Sequence, residues 1–266
     1  MSVDSHIQIP RFILKQFADP NLSNRIHNLR LQDEIIYLTG ASKLGTGFGY
    51  YSDNTEQHLN QEFESPFSRL AASVRKYVQS NERCLHLQDE EETCFKRFVT
   101  MQMTRSGFAL ETMMKNSVAA SFLTPQTNHD ALVSISSKID DGQLPLFDDY
   151  SMAIIINKSC VQFVAPRNCF YTALFHGIEI VVVPITPICA LSLIPSELTN
   201  ESRIIYVLND SDAERYNIRA LVYEYVYNRH SNGFIAAARR KELESLLDIL
   251  RKHRQELECS YRRVRE

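Results

Sequence analysis

Tryptophan is absent from the 266-residue chain, and glycine occurs only eight times. So little glycine excludes a collagen-like repeat or a flexible Gly-rich linker. Long apolar runs are missing too. The longest apolar stretch, 178–193, is broken by Glu179, Pro184 and Pro187, so no membrane-spanning helix is expected. The opening residues, 1–6, have no basic region followed by an apolar core, and no secretory signal is expected. Neither sign of charge dominates: 29 Lys and Arg face 32 Asp and Glu, for a formal net charge of -3. That balance excludes a basic nucleic-acid-binding tail and an acidic disordered chain. The six cysteines, at 84, 94, 160, 169, 189 and 259, include no Cys-x-x-Cys pair. Without a secretory signal they are expected as thiols of a cytoplasmic protein. His-Glu-x-x-His, Gly-x-Ser-x-Gly and the Gly-Lys-Ser/Thr of a phosphate loop are all absent. No metal and no cofactor are therefore expected.

With 44% hydrophobic and 23% charged residues, the chain has an ordinary globular composition and is long enough to bury a sizeable core. Ile9, Phe12, Leu14 and Phe17 gather around Pro10, which opens a helical turn or marks a strand edge. Residues 25–38 read as a short β-hairpin with polar residues at its turn. Gly45-Thr-Gly-Phe-Gly49 reads as a loop. Leu59, Phe63, Phe67, Leu70, Val74 and Val78 recur at helical spacing over 54–79, with Pro66 set to kink or divide the helix. A second helix is predicted over 88–114, its acidic run at 89–92 lying in the first turns, where it complements the helix dipole. Gln102 and Arg105, three apart, share one face of it. A third helical piece is expected at 115–124, and one more helix around 131–139 within a connector spanning 124–151.

A β-rich part follows, with strands predicted at 152–157, 161–164, 179–184, 190–193 and 204–207. Asn209 to Asp212 has the composition of a helix cap, before a helix through Ile218, Leu221, Val222, Tyr225 and Val226. Residues 234–266 read as one long amphipathic helix. Leu243, Leu247, Leu250, Leu257, Tyr261 and Val264 form a short heptad seam. The expected fold is α+β: a single domain over 1–233, whose helical half (about 54–123) packs on a small β-sheet (about 152–207), followed by a C-terminal helix over 234–266.

Several segments resemble, in order, those of a bacterial family known as domain of unknown function 4238. Pro10-Arg-Phe-Ile-Leu-Lys-Gln-Phe17 resembles its opening motif, in which a His precedes the Pro by three residues. Glu56 to Glu64 resembles its Glu/Leu helix, and Gln102-Met-Thr-Arg105-Ser its Gln-x-x-Arg helix motif. Phe163 to Cys169 falls where the family runs a strand into Ser-Asp-Asn-Pro. Val181 to Pro187 resembles its next strand, and Asn217 to Tyr227 its late helix. The likeness spans about residues 6–230 and implies a fold and a place to look for a site rather than a reaction. Two departures stand out: His6 is one residue early, and Arg167-Asn168-Cys169 replaces Asp-Asn-Pro.

The chemistry-bearing residues along this order are His6, Glu62 or Glu64, Gln102, Arg105 and Asn168. A His or Glu to move a proton, with an Arg to steady developing negative charge, suits phosphodiester or glycosidic cleavage. The structural alternative is that Arg105 bridges a buried carboxylate and Gln102 satisfies loop carbonyls. Cys169 with His176 is a further nucleophile–base pairing, though a packed thiol explains Cys169 as well. Tyr223, Tyr225 and Tyr227, with Arg229 and His230, interleave aromatics with bases, but their spacing spreads them over more than one helix face. The expected function is that of a bacterial nuclease of defence or toxin type, including phage defence, acting on RNA or DNA. The alternative is a non-enzymatic protein that forms a homo-oligomer or docks a partner protein through Leu243, Leu247, Leu250 and Leu257. No membrane role is expected.

Overall fold

The structure, a computed structural model, describes residues 5–6, 9–47, 53–80, 89–105, 137–138, 147–198, 203–228 and 233–265. In chain order its elements are β1 (Ser5–His6), α1 (Arg11–Leu14), β2 (Arg25–Arg30), β3 (Ile35–Gly40), β4 (Thr46–Gly47), α2 (Asp53–Leu59), α3 (Ser65–Ser80) and α4 (Asp89–Thr104). There follow β5 (Tyr150–Asn157), β6 (Ala165–Pro166), β7 (Tyr171–Phe175), β8 (Ile178–Thr186), β9 (Cys189–Pro195) and β10 (Ile204–Val207). The last are α5 (Asp210–Asn228), β11 (Phe234–Ala237), α6 (Arg240–Lys252) and α7 (Arg254–Arg265). The fold is α+β, as expected. The segment expected at 115–124, the last part of the helix expected over 88–114, and the connector as far as residue 146, apart from 137–138, lie outside the described residues.

One five-stranded sheet, ordered β10-β5-β9-β8-β7, organises the molecule. All its pairings are antiparallel except that of β10 with β5. Both faces are covered. Met152, Ile154 and Ile156 of β5 enter a core shared with α1, α3 and α4, while Ala153 and Ile155 enter a second core with α5, α6 and α7. Two-sided burial explains why these strands read as continuous apolar runs rather than alternating ones. On the first side Phe67 of α3 stacks on Phe98 and Phe95 of α4, with ring centroids 3.8 and 5.7 Å apart.

A second sheet, ordered β3-β2-β11-β6, draws on distant parts of the chain. The β-structure is thus not confined to 152–207 and is not one small sheet. The predicted strand over 161–164 is absent as a strand. Side chains take over its amide groups: Asp210 accepts from Cys160 and Val161, Glu242 from Gln162, and Asn217 from Val164. The helix expected over 54–79 is interrupted by a wider π turn at Asn60–Glu64, immediately before Pro66. Pro66 has no N–H to offer the preceding turn, and a π turn absorbs the mismatch.

The tail departs most from expectation. Residues 234–237 are not helical but form β11, held between β2 and β6. The helix beyond is broken at His253, whose N–H still reaches the Ile249 carbonyl at 3.0 Å. Leu243, Leu247, Leu250 and Leu257 are buried in the chain's own second core. The seam expected to form an oligomer or dock a partner is therefore covered by β2, β11 and α5 of the same chain, because α6 packs directly on them. No helix among the described residues is long and apolar enough to cross a membrane.

Candidate functional site

Helix α4 buries Phe95, Phe98 and Val99, and the same turns carry polar groups inward at its end. Gln102 is 2% exposed and Arg105 1%. The Arg105 N–H closes the helix on the Met101 carbonyl at 3.1 Å. The guanidinium donates to Glu64 across 2.9 Å. Glu64 sits at the end of the π turn and is itself 17% exposed. Of the two glutamates considered, Glu64 is thus the partner, whereas Glu62 is exposed. Glu56, on α2, completes this side. Burial raises its carboxyl above the ordinary range, Arg105 opposes the rise and Glu64 adds to it.

The facing side is the turn after β6. Cys169 adopts a left-handed conformation (φ 58°), and its N–H returns to the Pro166 carbonyl at 2.9 Å. Arg167 donates its N–H to the Phe234 carbonyl at 3.0 Å, tying the turn to β11. The Cys169 thiol is pushed well up, first by burial, with Arg105 opposing and Glu64 and Glu224 reinforcing. These three charges therefore converge on one turn, with Gln102 one helical turn before Arg105.

Glu224 is the residue that sequence reasoning missed. It is fully buried on α5. Its carboxylate accepts from the Phe234 N–H at 3.3 Å, the Asn228 side-chain amide at 3.1 Å and the Asn168 N–H. Burial lifts its pKa to about 7, against the pull of Arg167 and those three hydrogen bonds. The signal in the sequence was a lone carboxylate inside the apolar and aromatic run Leu221-Val-Tyr-Glu-Tyr-Val-Tyr227. A carboxyl poised near neutrality can both give and take a proton.

The most informative atoms are those with nothing to bond. Both amide atoms of Gln102 and both of Asn168 are buried without a hydrogen-bond partner, as is one oxygen each of Glu56 and Asn228. Each such group costs on the order of 1–3 kcal/mol. Beside the Arg105–Glu64 pair and the Glu224 carboxyl, they leave this part of the molecule with hydrogen-bonding capacity to spare.

The remaining expectations separate. The backbone of His6 pairs with Thr46 in the β1–β4 ladder. Cys169 and His176 do not meet. His176 and Gly177 form the turn of the β7–β8 hairpin (φ 50° and 82°), one strand-length beyond Cys169. Tyr223 and Tyr225 diverge: Tyr223 packs on Phe170 and Tyr225 donates to Glu258 at 2.9 Å. Arg229 and His230 lie outside the described residues. Among the described residues no group of three or more His, Cys, Asp or Glu is placed to hold a metal ion. No described protein family, no curated protein and no solved structure matches the chain.

Proposed function

We propose that the chain is a nucleic-acid-processing enzyme that cleaves phosphodiester bonds at the Arg105–Glu224 cluster. The observation that carries this reading is the pair of buried, unpartnered carboxamides of Gln102 and Asn168 beside charged groups of both signs. A phosphodiester asks for this combination. Arg105 and Arg167 answer its negative charge, which grows as the phosphorus gains a fifth oxygen ligand. The carboxamides offer donors and acceptors to the substrate's polar edges. A carboxylate takes the proton of the attacking hydroxyl or water, and a protonated carboxyl returns one to the departing oxygen. Glu224 suits the second role near neutral pH, and Glu64, the more exposed and paired with Arg105, the first. The reading includes the bacterial, cytoplasmic, defence-type setting that the sequence suggested.

The test is a cleavage screen on labelled RNA, single-stranded DNA and duplex DNA, with and without divalent cations, using wild type, Arg105→Ala and Glu224→Gln. Cleavage lost in both variants supports the site. No cleavage by the wild type of any substrate, or equal cleavage by the variants, overturns it.

A further inference from the structure

The five-stranded sheet has two edges, β10 and β7. In a flat sheet they would lie four strand spacings apart, about 19 Å. Here residues of both edges line a single cavity of about 590 Å³. The cavity is thus a groove shared by the two edges and by α5. Its lining falls into two kinds. Leu174 and Tyr206 are apolar or aromatic and each 53% exposed, with Phe175 and His176 beside them at the hairpin end. Arg215 and Arg219, both exposed and one helical turn apart on α5, give the groove its positive charge.

We infer that this groove holds a single strand of nucleic acid, as the approach to the cleavage site proposed above. The volume lies in the range of a site for one small, largely buried ligand and fits an unstacked nucleotide. Aromatic faces take bases and arginines take phosphates, which is the general means of holding single strands irrespective of sequence. A duplex keeps its bases stacked and has none to offer Tyr206 or Phe175. The one carboxylate lining the groove, Asp212, is paired with Arg215 at 3.3 Å in an exposed bridge that exchanges readily for a phosphate contact. The α5 stripe also runs toward the turn of the helix that carries Glu224, a fully buried residue that does not line the groove. Arg215, Arg219 and Tyr223 recur every fourth residue, and Tyr223 packs on Phe170 beside the Asn168–Cys169 turn. From Arg219 to Glu224 the helix rises about 7.5 Å, the length of about two stacked nucleotides.

The inference rests on the proposed nucleic-acid reading, and binding is measured apart from cleavage to separate the two. The probe is a short fluorescein-labelled RNA oligonucleotide, single-stranded or annealed to its complement, with binding followed by fluorescence anisotropy at several salt concentrations. Arg105→Ala protein serves as the cleavage-silenced background. The single strand should bind at least tenfold more tightly than the duplex. Arg215→Ala with Arg219→Ala should lower the slope of log K against log salt by about 1.4, the loss of two phosphate contacts. Tyr206→Ala should weaken binding by roughly tenfold. Single-strand binding that depends on these residues in a protein that cleaves nothing supports the groove and removes the enzyme reading. Cleavage that needs Arg105 while both groove variants bind and cleave like wild type overturns the groove and leaves the enzyme. Equal binding of duplex, or no binding of any oligonucleotide, also overturns it, and a peptide then becomes the occupant to test.

Discussion

Arg105 and Glu64 meet at 2.9 Å although 41 residues separate them in the chain. The arginine is all but inaccessible and the glutamate is partly wet. Breaking a largely buried ion pair from either side costs about 3–5 kcal/mol, so Glu64→Leu and Arg105→Leu should each destabilise the chain by about that much. Urea unfolding of both singles and the double variant reads this. A double variant as unstable as the sum of the singles would show that the pair is not coupled.

Glu224 makes stability depend on pH in a stated direction. Its carboxyl rises from an ordinary 4.5 to about 7 in the folded chain. Between those values the folded protein keeps a proton that the unfolded chain has released, so stability falls as pH rises. The cost is complete above about 7 and amounts to about 3 kcal/mol. Glu224→Gln removes the titration. The stability difference between variant and wild type should shift in the variant's favour by about 3 kcal/mol between about pH 4 and about pH 8. A difference independent of pH rules the assignment out.

Thiol chemistry should divide the cysteines by location. Cys160 and Cys259 are exposed, whereas Cys169 and Cys189 are buried. Burial pushes the Cys189 thiol up to about 12. An aromatic disulfide reagent should label Cys160 and Cys259 in the native protein and reach Cys169 and Cys189 only on unfolding. Rapid native labelling of Cys169, seen by peptide mass spectrometry, would contradict the packing of the 167–169 turn.

Gly45 has φ +71°, and a Cβ there would stand 3.2 Å from the Phe234 ring. Both strain and contact oppose Gly45→Ala, which should cost about 1–3 kcal/mol in thermal or urea unfolding. A neutral substitution would mean that β11 and this loop adjust freely.

Leu250 is buried against its own chain. Leu250→Ala should lower stability by about 2–5 kcal/mol and leave the mass in light scattering equal to that of the wild type. A change from a larger to a smaller assembly would restore a role between chains for the seam.

Much of the fold was legible because particular segments had one dominant signal. The 25–38 hairpin has polar residues at its turn between two apolar-bearing strands, β5, β8 and β9 are continuous apolar runs, and Asn209 accepts the Asp212 N–H at 2.8 Å as its position suggested. β11 was not legible. Phe-Ile-Ala-Ala is too short to show a period and merges with the leucine repeat that follows. α5 hid its site because it is buried around most of its girth, so Asn217, Glu224 and Asn228 break no visible pattern. Gln102 and Arg105 were legible as a pair on one face. That they meet Glu64, rather than the exposed Glu62, depends on the extra residue of the π turn, which no helical-spacing argument contains.

β11 sits between β2 and β6, with Phe234 opposite Arg30 and Ala236 opposite Ala165. The β2–β3 hairpin therefore leaves the ribosome roughly two hundred residues before the strand that joins it to the rest of the sheet. At about 5–20 residues per second the wait is roughly 10–40 s. Until it ends, Phe234 and the 167–169 turn have not met, and Glu224 lacks the Phe234 N–H. Protein whose synthesis stops short of residue 234 holds every strand of its five-stranded sheet yet lacks the strand that ties the 167–169 turn to the β2–β3 hairpin.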